Sequence, residues 1–311
     1  AKRGQQNVPA AVTDIGCERE INEDRYAVVD SPMGRAWIVC DGMGGEVGGE
    51  LAAQLAIDSI KRALESTSFQ SSSAAIAAAI NEANRVIVLR RQNPAFSSMG
   101  TTVVSAMIED DEVSIAHAGD SRAYLIRNGE IQQLTIDHTF VQELVDKGEI
   151  TAEEAMTHPQ AHVLTRCLGS DAALGVDVKN FWLWPLKRKE KGDKLLLCSD
   201  GLYSLVADEE IASLAEQLSP QEACVRMVEL ARERGGYDNI TLAILPLEGT
   251  LQEEPSQSSL AQKKKPKKEV KVKKRKPVSM KKRLLAMLLL MVFGSIVSLL
   301  VVLLKLLGIV G

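Results

Sequence analysis

Five aspartates sit where short apolar runs begin or end. Trp37-Ile38-Val39-Cys40 is followed by Asp41-Gly42-Met43-Gly44-Gly45, and Leu195-Leu196-Leu197-Cys198-Ser199 by Asp200-Gly201. Residues 114–119 lead to Asp120-Ser121, and Gly235-Gly236-Tyr237 to Asp238-Asn239-Ile240-Thr241. Near the front, Asn22-Glu23-Asp24 precedes the run from Arg25. One Asp-Gly pair alone reads as a turn. Five such ends are different, because a sheet can bring its strand ends to one edge. Carboxylates gathered there raise one another's pKa unless a cation joins them. All-oxygen ligands without convergent His or Cys suit hard ions, Mg²⁺ or Mn²⁺, rather than zinc. The glycines of residues 42–49 do not spell a phosphate loop, since GxxxxGK[ST] and GxGxxG after a strand are both absent.

The elements that must position these residues follow from periodicity. Short β-branched or apolar runs predict strands at 25–30, 36–41, 102–108, 112–117, 122–127, 193–198 and 240–245. Asn128-Gly129 between two of them predicts a tight hairpin. Patterns of 3.6-residue period predict helices at 49–65, 74–91, 139–147, 208–217 and 220–234. Consecutive strands around 102–134 favour antiparallel pairing, so the expected class is α+β, sheets packed together with helices outside.

The chain has 311 residues, 45% of them apolar and 25% charged, which excludes collagen-like, wholly disordered and polytopic membrane chains. The five cysteines are scattered without a CxxC pair, which argues against a disulfide framework or a thiolate zinc site. The net charge of −4 hides two opposite parts. Residues 263–283 carry 13 Lys and Arg and one acid, and Lys305 adds one base; residues 1–262 keep 23 bases and 40 acids, a net −17. So acidic a body is not expected to bind nucleic acid.

Residues 284–304 (LLAMLLLMVFGSIVSLLVVLL) contain no charge, and 21 residues of helix span about 30 Å, the thickness of a bilayer's hydrocarbon core. The basic run before them marks the cytoplasmic side and attracts anionic lipid heads. The N-terminal AKRGQQNVPA reads as no signal peptide. The expected layout is a domain over 1–247, a polar then strongly basic linker over 248–283, a transmembrane helix over 284–304 and a short tail over 305–311. That places a single-pass protein in the cell membrane with its domain in the cytoplasm.

In this order the segments resemble the metal-dependent serine/threonine protein phosphatases of type 2C, the PPM family, in their bacterial membrane-anchored form. The resemblance covers about residues 13–246. It is carried by Thr13-Asp14-Ile15-Gly16, Arg19, Asn22-Glu23-Asp24, Asp41-Gly42-Met43-Gly44-Gly45, Gly100-Thr101-Thr102, Ala118-Gly119-Asp120-Ser121-Arg122, Asp137-His138-Thr139, Ser199-Asp200-Gly201 and Asp238-Asn239-Ile240-Thr241. Residues 141–169 look like the family's flap. The resemblance implies a two-sheet β-sandwich flanked by helices in α-β-β-α layers, with a two-metal centre at one edge and a C-terminal transmembrane helix beyond. It implies that Asp41 bridges two Mn²⁺ or Mg²⁺ ions, that Gly42 lends its carbonyl, and that Asp200 and Asp238 complete one shell. Asp24 or Glu23 holds the other ion, Asp120 resembles the ligand of a third, weaker one, and Arg19 grips the substrate phosphate.

The implied reaction is hydrolysis of phosphoserine and phosphothreonine on proteins by a water that the dinuclear centre activates, without a phosphoenzyme. Many eukaryotic members carry a histidine, proposed as general acid, where this chain has Met43, and methionine cannot donate that proton. His138 and His117 are expected to be structural, and His158 and His162 to lie in the flap. The implied partners are phosphorylated proteins, a serine/threonine kinase with its substrates, and membrane lipids. Two other functions remain open to the residues: hydrolysis of small phosphoesters, and a catalytically weak scaffold that binds phosphoproteins.

Overall fold

The structure is a computed structural model, and it describes residues 8–44, 48–66, 69–186 and 192–253. The expected linker beyond 253, the span at 284–304 and the tail lie outside the described residues. In chain order the elements are β1 (Ala10–Asp14), β2 (Arg25–Ser31), β3 (Gly34–Cys40), β4 (Gly42–Met43), α1 (Gly48–Ser66), α2 (Ser72–Arg90), β5 (Gly100–Thr101), β6 (Val103–Glu109), β7 (Glu112–Ala118), β8 (Arg122–Arg127) and β9 (Glu130–Gln133). There follow α3 (Phe140–Asp146), α4 (Ala152–Met156), β10 (Asp177–Pro185), β11 (Lys194–Cys198), α5 (Asp200–Tyr203), α6 (Asp208–Gln217), α7 (Pro220–Glu233), β12 (Ile240–Pro246) and β13 (Gly249–Glu253).

Two antiparallel sheets face each other, in the orders β1-β12-β11-β8-β9 and β13-β10-β7-β6-β3-β2. Trp37, Val39, Val104, Ile115, Leu195, Leu197, Ala243 and Leu245 fill the space between them. The alternate residues Ala36, Ile38 and Cys40 of β3 turn outward and pack under α1 and α2, while Leu196 and Cys198 of β11 pack under α5–α7. Both faces of these strands are buried, which is why they read as unbroken apolar runs rather than alternating ones. The layers are those expected, α-β-β-α. Within the domain, every strand and helix predicted at 25–245 is present within about two residues of its expected bounds. Asn128 (φ 52°) and Gly129 (φ 81°) form the predicted hairpin turn between β8 and β9.

Besides the two-residue β4 and β5, three strands carry no clean sequence signal. In β1 the alternation is weak. In β10, Phe181 and Leu183 face the inter-sheet core while Trp182 and Trp184 point the other way, so both faces are apolar and no period of two survives. In β13 only Leu251 is apolar and buried, and it pairs opposite Leu183. The stretch expected to begin the linker at 248 therefore opens with a sheet-edge strand. Among the described residues no helix is long and apolar enough to cross a membrane.

Candidate metal centre

Strand direction assembles the site. β3 and β7 both run antiparallel to β6, so Asp41 and Asp120, just past their C-terminal ends, reach the same edge. β2 runs opposite to β3 and begins there, beside Glu23 and Asp24. In the other sheet β11 ends where β12 begins, which brings Asp200 to Asp238. A cavity of about 440 Å³ opens at this edge, lined by Arg19, Glu23, Asp41, Gly42, Asp120, Asp200 and Asp238 among others. Every predicted site residue but Asp24 lines it.

Local hydrogen bonds explain most of the motifs. Thr102 Oγ1 accepts from the Asp41 amide at 3.0 Å, and the Thr102 amide and Thr101 Oγ1 both donate to the Asp41 carbonyl at 2.8 Å. Asn239 Oδ1 accepts from the Glu23 amide at 2.7 Å, and its Nδ2 donates to the carbonyls of Ile15 and Ile21, tying the Arg19 loop to the start of β12. Glu23 lies at the N-terminus of α1, its Oε1 close against Gly49, where the first-turn N–H groups favour a carboxylate. A side chain at Gly42 would stand 2.2 Å from the Gly49 carbonyl, so only glycine lets these two turns meet.

Asp24 is buried behind the cavity, where Ser199 Oγ donates to its Oδ2 at 2.7 Å. Of the two acidic positions left open by the sequence, the structure puts Glu23 on the cavity and Asp24 beneath it. Arg19 Nη2 donates to Asp238 Oδ2 at 2.7 Å across the mouth, so the guanidinium faces the carboxylates as well as solvent.

The electrostatics favour a cation. Burial first, then the neighbouring Asp24, Asp200 and Asp120, push the Asp41 carboxyl well above the usual range. Burial raises Asp24 to about 7 and Asp120 to about 8, and in both the Asp200 charge adds to the rise. Burial also raises Glu23, with the Arg19 guanidinium opposing. Asp200 Oδ1 is buried with no hydrogen-bond partner, an arrangement that costs a carboxylate dearly unless a cation takes the place of the missing donor. The oxygen-only donor set fits Mn²⁺ or Mg²⁺.

Four histidines separate cleanly. His117 and His138 are buried and stacked at 4.6 Å; His117 Nε2 meets the Ile136 carbonyl, while His138 Nδ1 accepts from the Gly119 amide and Nε2 meets Asp177 at 3.2 Å. Nδ1 as acceptor leaves Nε2–H as donor to Asp177, which makes His138 a brace for the Gly119-Asp120 turn. These two histidines and Asp177 are near enough for a shared ion, yet both Nε2 atoms are already engaged and stacked rings do not aim at one point. His158 is half-buried on the flap, its ring 6.3 Å from that of Phe140. His162, also on the flap, lines the cavity with Nδ1 3.8 Å from Asp200 Oδ2. Its place in the site had no sequence signal beyond lying in that segment.

A two-sheet sandwich with carboxylates converging on an open edge defines a scaffold for hydrolysis assisted by hard cations. The family model for protein phosphatase 2C matches residues 18–233. The chain belongs to that family of serine/threonine protein phosphatases. The serine/threonine protein phosphatase PstP of Mycobacterium tuberculosis is 37% identical over 237 residues, which cover 76% of this chain and 44% of PstP. The chain thus spans less than half the length of that relative. The Streptococcus agalactiae serine/threonine phosphatase superposes with a TM-score of 0.70 at 32% identity, covering 77% of this chain and 99% of that one. A PstP catalytic domain solved with two manganese ions matches with a TM-score of 0.64 at 34% identity, covering 76% of this chain and 96% of its own.

Proposed function

We propose that this chain hydrolyses phosphoserine and phosphothreonine on proteins with two Mn²⁺ or Mg²⁺ ions, at the cytoplasmic face of a membrane. The observation that carries the reaction is the convergence of Asp41, Asp120, Asp200 and Asp238 on one cavity, with a buried Asp200 oxygen lacking a partner. Asp41 with the Gly42 carbonyl, Asp200 and Asp238 would hold the two core ions, Glu23 would stand near one of them, and Asp120 would serve a third and weaker one. When bound, such ions supply Lewis acidity toward phosphoryl oxygens and toward water.

The chain's own residues do the rest. Arg19 presents a planar fork of donors at the mouth, suited to two phosphate oxygens at once. Thr101 and Thr102 fix the Asp41 backbone, so its carboxylate need not reorganise during the reaction. The open mouth admits a side chain carried on another protein. Met43 lines the cavity and cannot protonate the departing serine or threonine oxygen, and buried His138 does not line it. That proton comes from solvent or from a group at the mouth.

Membrane attachment is supported by the uncharged residues 284–304 and the basic run before them. Phosphorylated proteins at that surface, and the serine/threonine kinase that modifies them, are the proposed partners. Comparing kcat/KM for a phosphothreonine peptide with that for small phosphoesters tests the substrate class. The peptide is expected to be the better substrate. Preference for small phosphoesters would favour a metabolite hydrolase, and tight phosphopeptide binding without turnover a scaffold.

A further inference from the structure

We propose that Trp182 and Trp184 on β10 form a lipid-docking surface, and that the domain rests with this edge of its sheet on the bilayer. The proposal rests on reading residues 284–304 as a membrane span. Of the three tryptophans, Trp37 lies between the sheets at 9% exposure, whereas Trp182 and Trp184 are 41% and 62% exposed. They stand two residues apart and so share one face of β10. On that face Asn180 accepts from Ser114 Oγ, which shares a hydrogen bond with Ser72 Oγ at the start of α2. The helical layer thus reaches the Asn180 row, and the two indoles stand beyond it. Two exposed indoles side by side mark an interaction surface.

Where the chain goes next selects lipid as the occupant. Trp182 and Trp184 pair with Gln252 and Thr250 of β13, the edge strand, which ends at Glu253. From 254 to 283 there are 30 residues before the apolar run. Even fully extended, 30 residues reach no more than about 100 Å. A domain tethered so closely to a bilayer meets it at an effective concentration near millimolar, enough to populate a weak contact. Indoles are suited to such a contact, since they settle at the level of the lipid headgroups. Glu112 pairs with Trp182 and shares its row, so the contact is made by indole burial and not by charge.

The direction of β10 makes the arrangement compatible with catalysis. Asp177, at the start of β10, pairs with His117 at the edge that carries the carboxylates. Trp184 lies seven residues on, about 23 Å away along the strand, at the opposite edge. Resting on that edge leaves the cavity open to the aqueous side.

The test uses the full chain mixed with phosphatidylcholine–phosphatidylglycerol vesicles, with and without bromine on the acyl chains, which quenches nearby indoles. Flotation comes first: a chain that stays in the aqueous fractions refutes the span, and with it the basis of the proposal. In a chain that floats, the proposal expects a loss of tryptophan emission on brominated vesicles. The loss should persist in high salt and should disappear in the Trp182→Phe/Trp184→Phe double variant, which keeps only buried Trp37. Phosphopeptide turnover by that variant should equal the wild type. Equal emission on both kinds of vesicle from a floating chain would overturn the docking surface while leaving the span intact. If the Trp substitutions then altered self-association or capture of a protein, the surface would belong to that partner instead.

Discussion

At the scale of single residues, Asp200 concentrates the chemistry. One of its oxygens is buried without a partner, and its charge raises the pKa of three other aspartates. Asp200→Asn removes that charge without changing shape, so the fold should survive: thermal melting in EDTA should match the wild type or exceed it. Turnover should fall roughly 100-fold or more, since several kcal/mol of transition-state stabilisation depend on the ions. Cation entry also has a pH signature. Asp24 near 7, Asp120 near 8 and Asp41, raised well above the usual carboxylate range by burial and its acidic neighbours, hold protons that a cation must displace. Calorimetric titration with Mn²⁺ in buffers of different ionisation heat should therefore show proton release at neutral pH; heats independent of the buffer would contradict this. For Asp24 and Asp120 the folded pKa is the raised one, so in EDTA they contribute stability that is complete below the ordinary value of 3.8 and is lost as pH rises from there to 7–8. His138 has the opposite sense. Burial, then neighbouring His117, lowers it to about 4 from 6.5, so its contribution is complete above 6.5 and lost as pH falls toward about 4. In denaturant titrations His138→Gln should flatten the fall of stability across that window; an unchanged slope would remove His138 as its source. The sequence named the carboxylates because strand ends are readable from apolar runs. It could not separate Glu23 from Asp24, which are adjacent in sequence, since only folding decides which of them meets the cavity and which meets Ser199.

At the scale of elements, strands buried on both faces and helices with caps announced themselves. Ser219-Pro220 with Glu222 closes a capping box on α7 at the position where its period begins. The strands that escaped were those whose burial comes from partners far along the chain. β13 is held by Leu251 and by Asp193, which accepts from the Leu251 amide and from Arg127 at 2.6 Å each. None of these contacts leaves a local pattern. They do predict that a chain ending at 247 is less stable than one ending at 254. Losing the Leu251 side chain and disturbing the buried Asp193 pair should cost at least about 3 kcal/mol in denaturant unfolding. Equal stability of the two chains would show β13 to be dispensable. The flap residues 141–169 were legible as a segment, yet the approach of His162 to Asp200 depends on how that segment folds back, which no local pattern encodes.

At the scale of the whole molecule, an acidic domain is followed by a strongly basic run and an uncharged stretch, a division written directly in the charge distribution. Residues 1–254 form one compact unit, and the Streptococcus agalactiae chain, matched over 99% of its length, shows that a domain of this kind stands alone. Removing 255–311 should therefore yield a soluble, active protein that stays out of the membrane fraction. Continued sedimentation with membranes would refute the anchor. The central claim is cation-dependent hydrolysis of a phosphorylated side chain. It is tested most directly by phosphate release from a phosphothreonine peptide by residues 1–254, with Mn²⁺ and then with excess EDTA. The account predicts release that requires Mn²⁺ and stops with EDTA. Release that continues undiminished in EDTA, or none with Mn²⁺ from a folded sample, would contradict it.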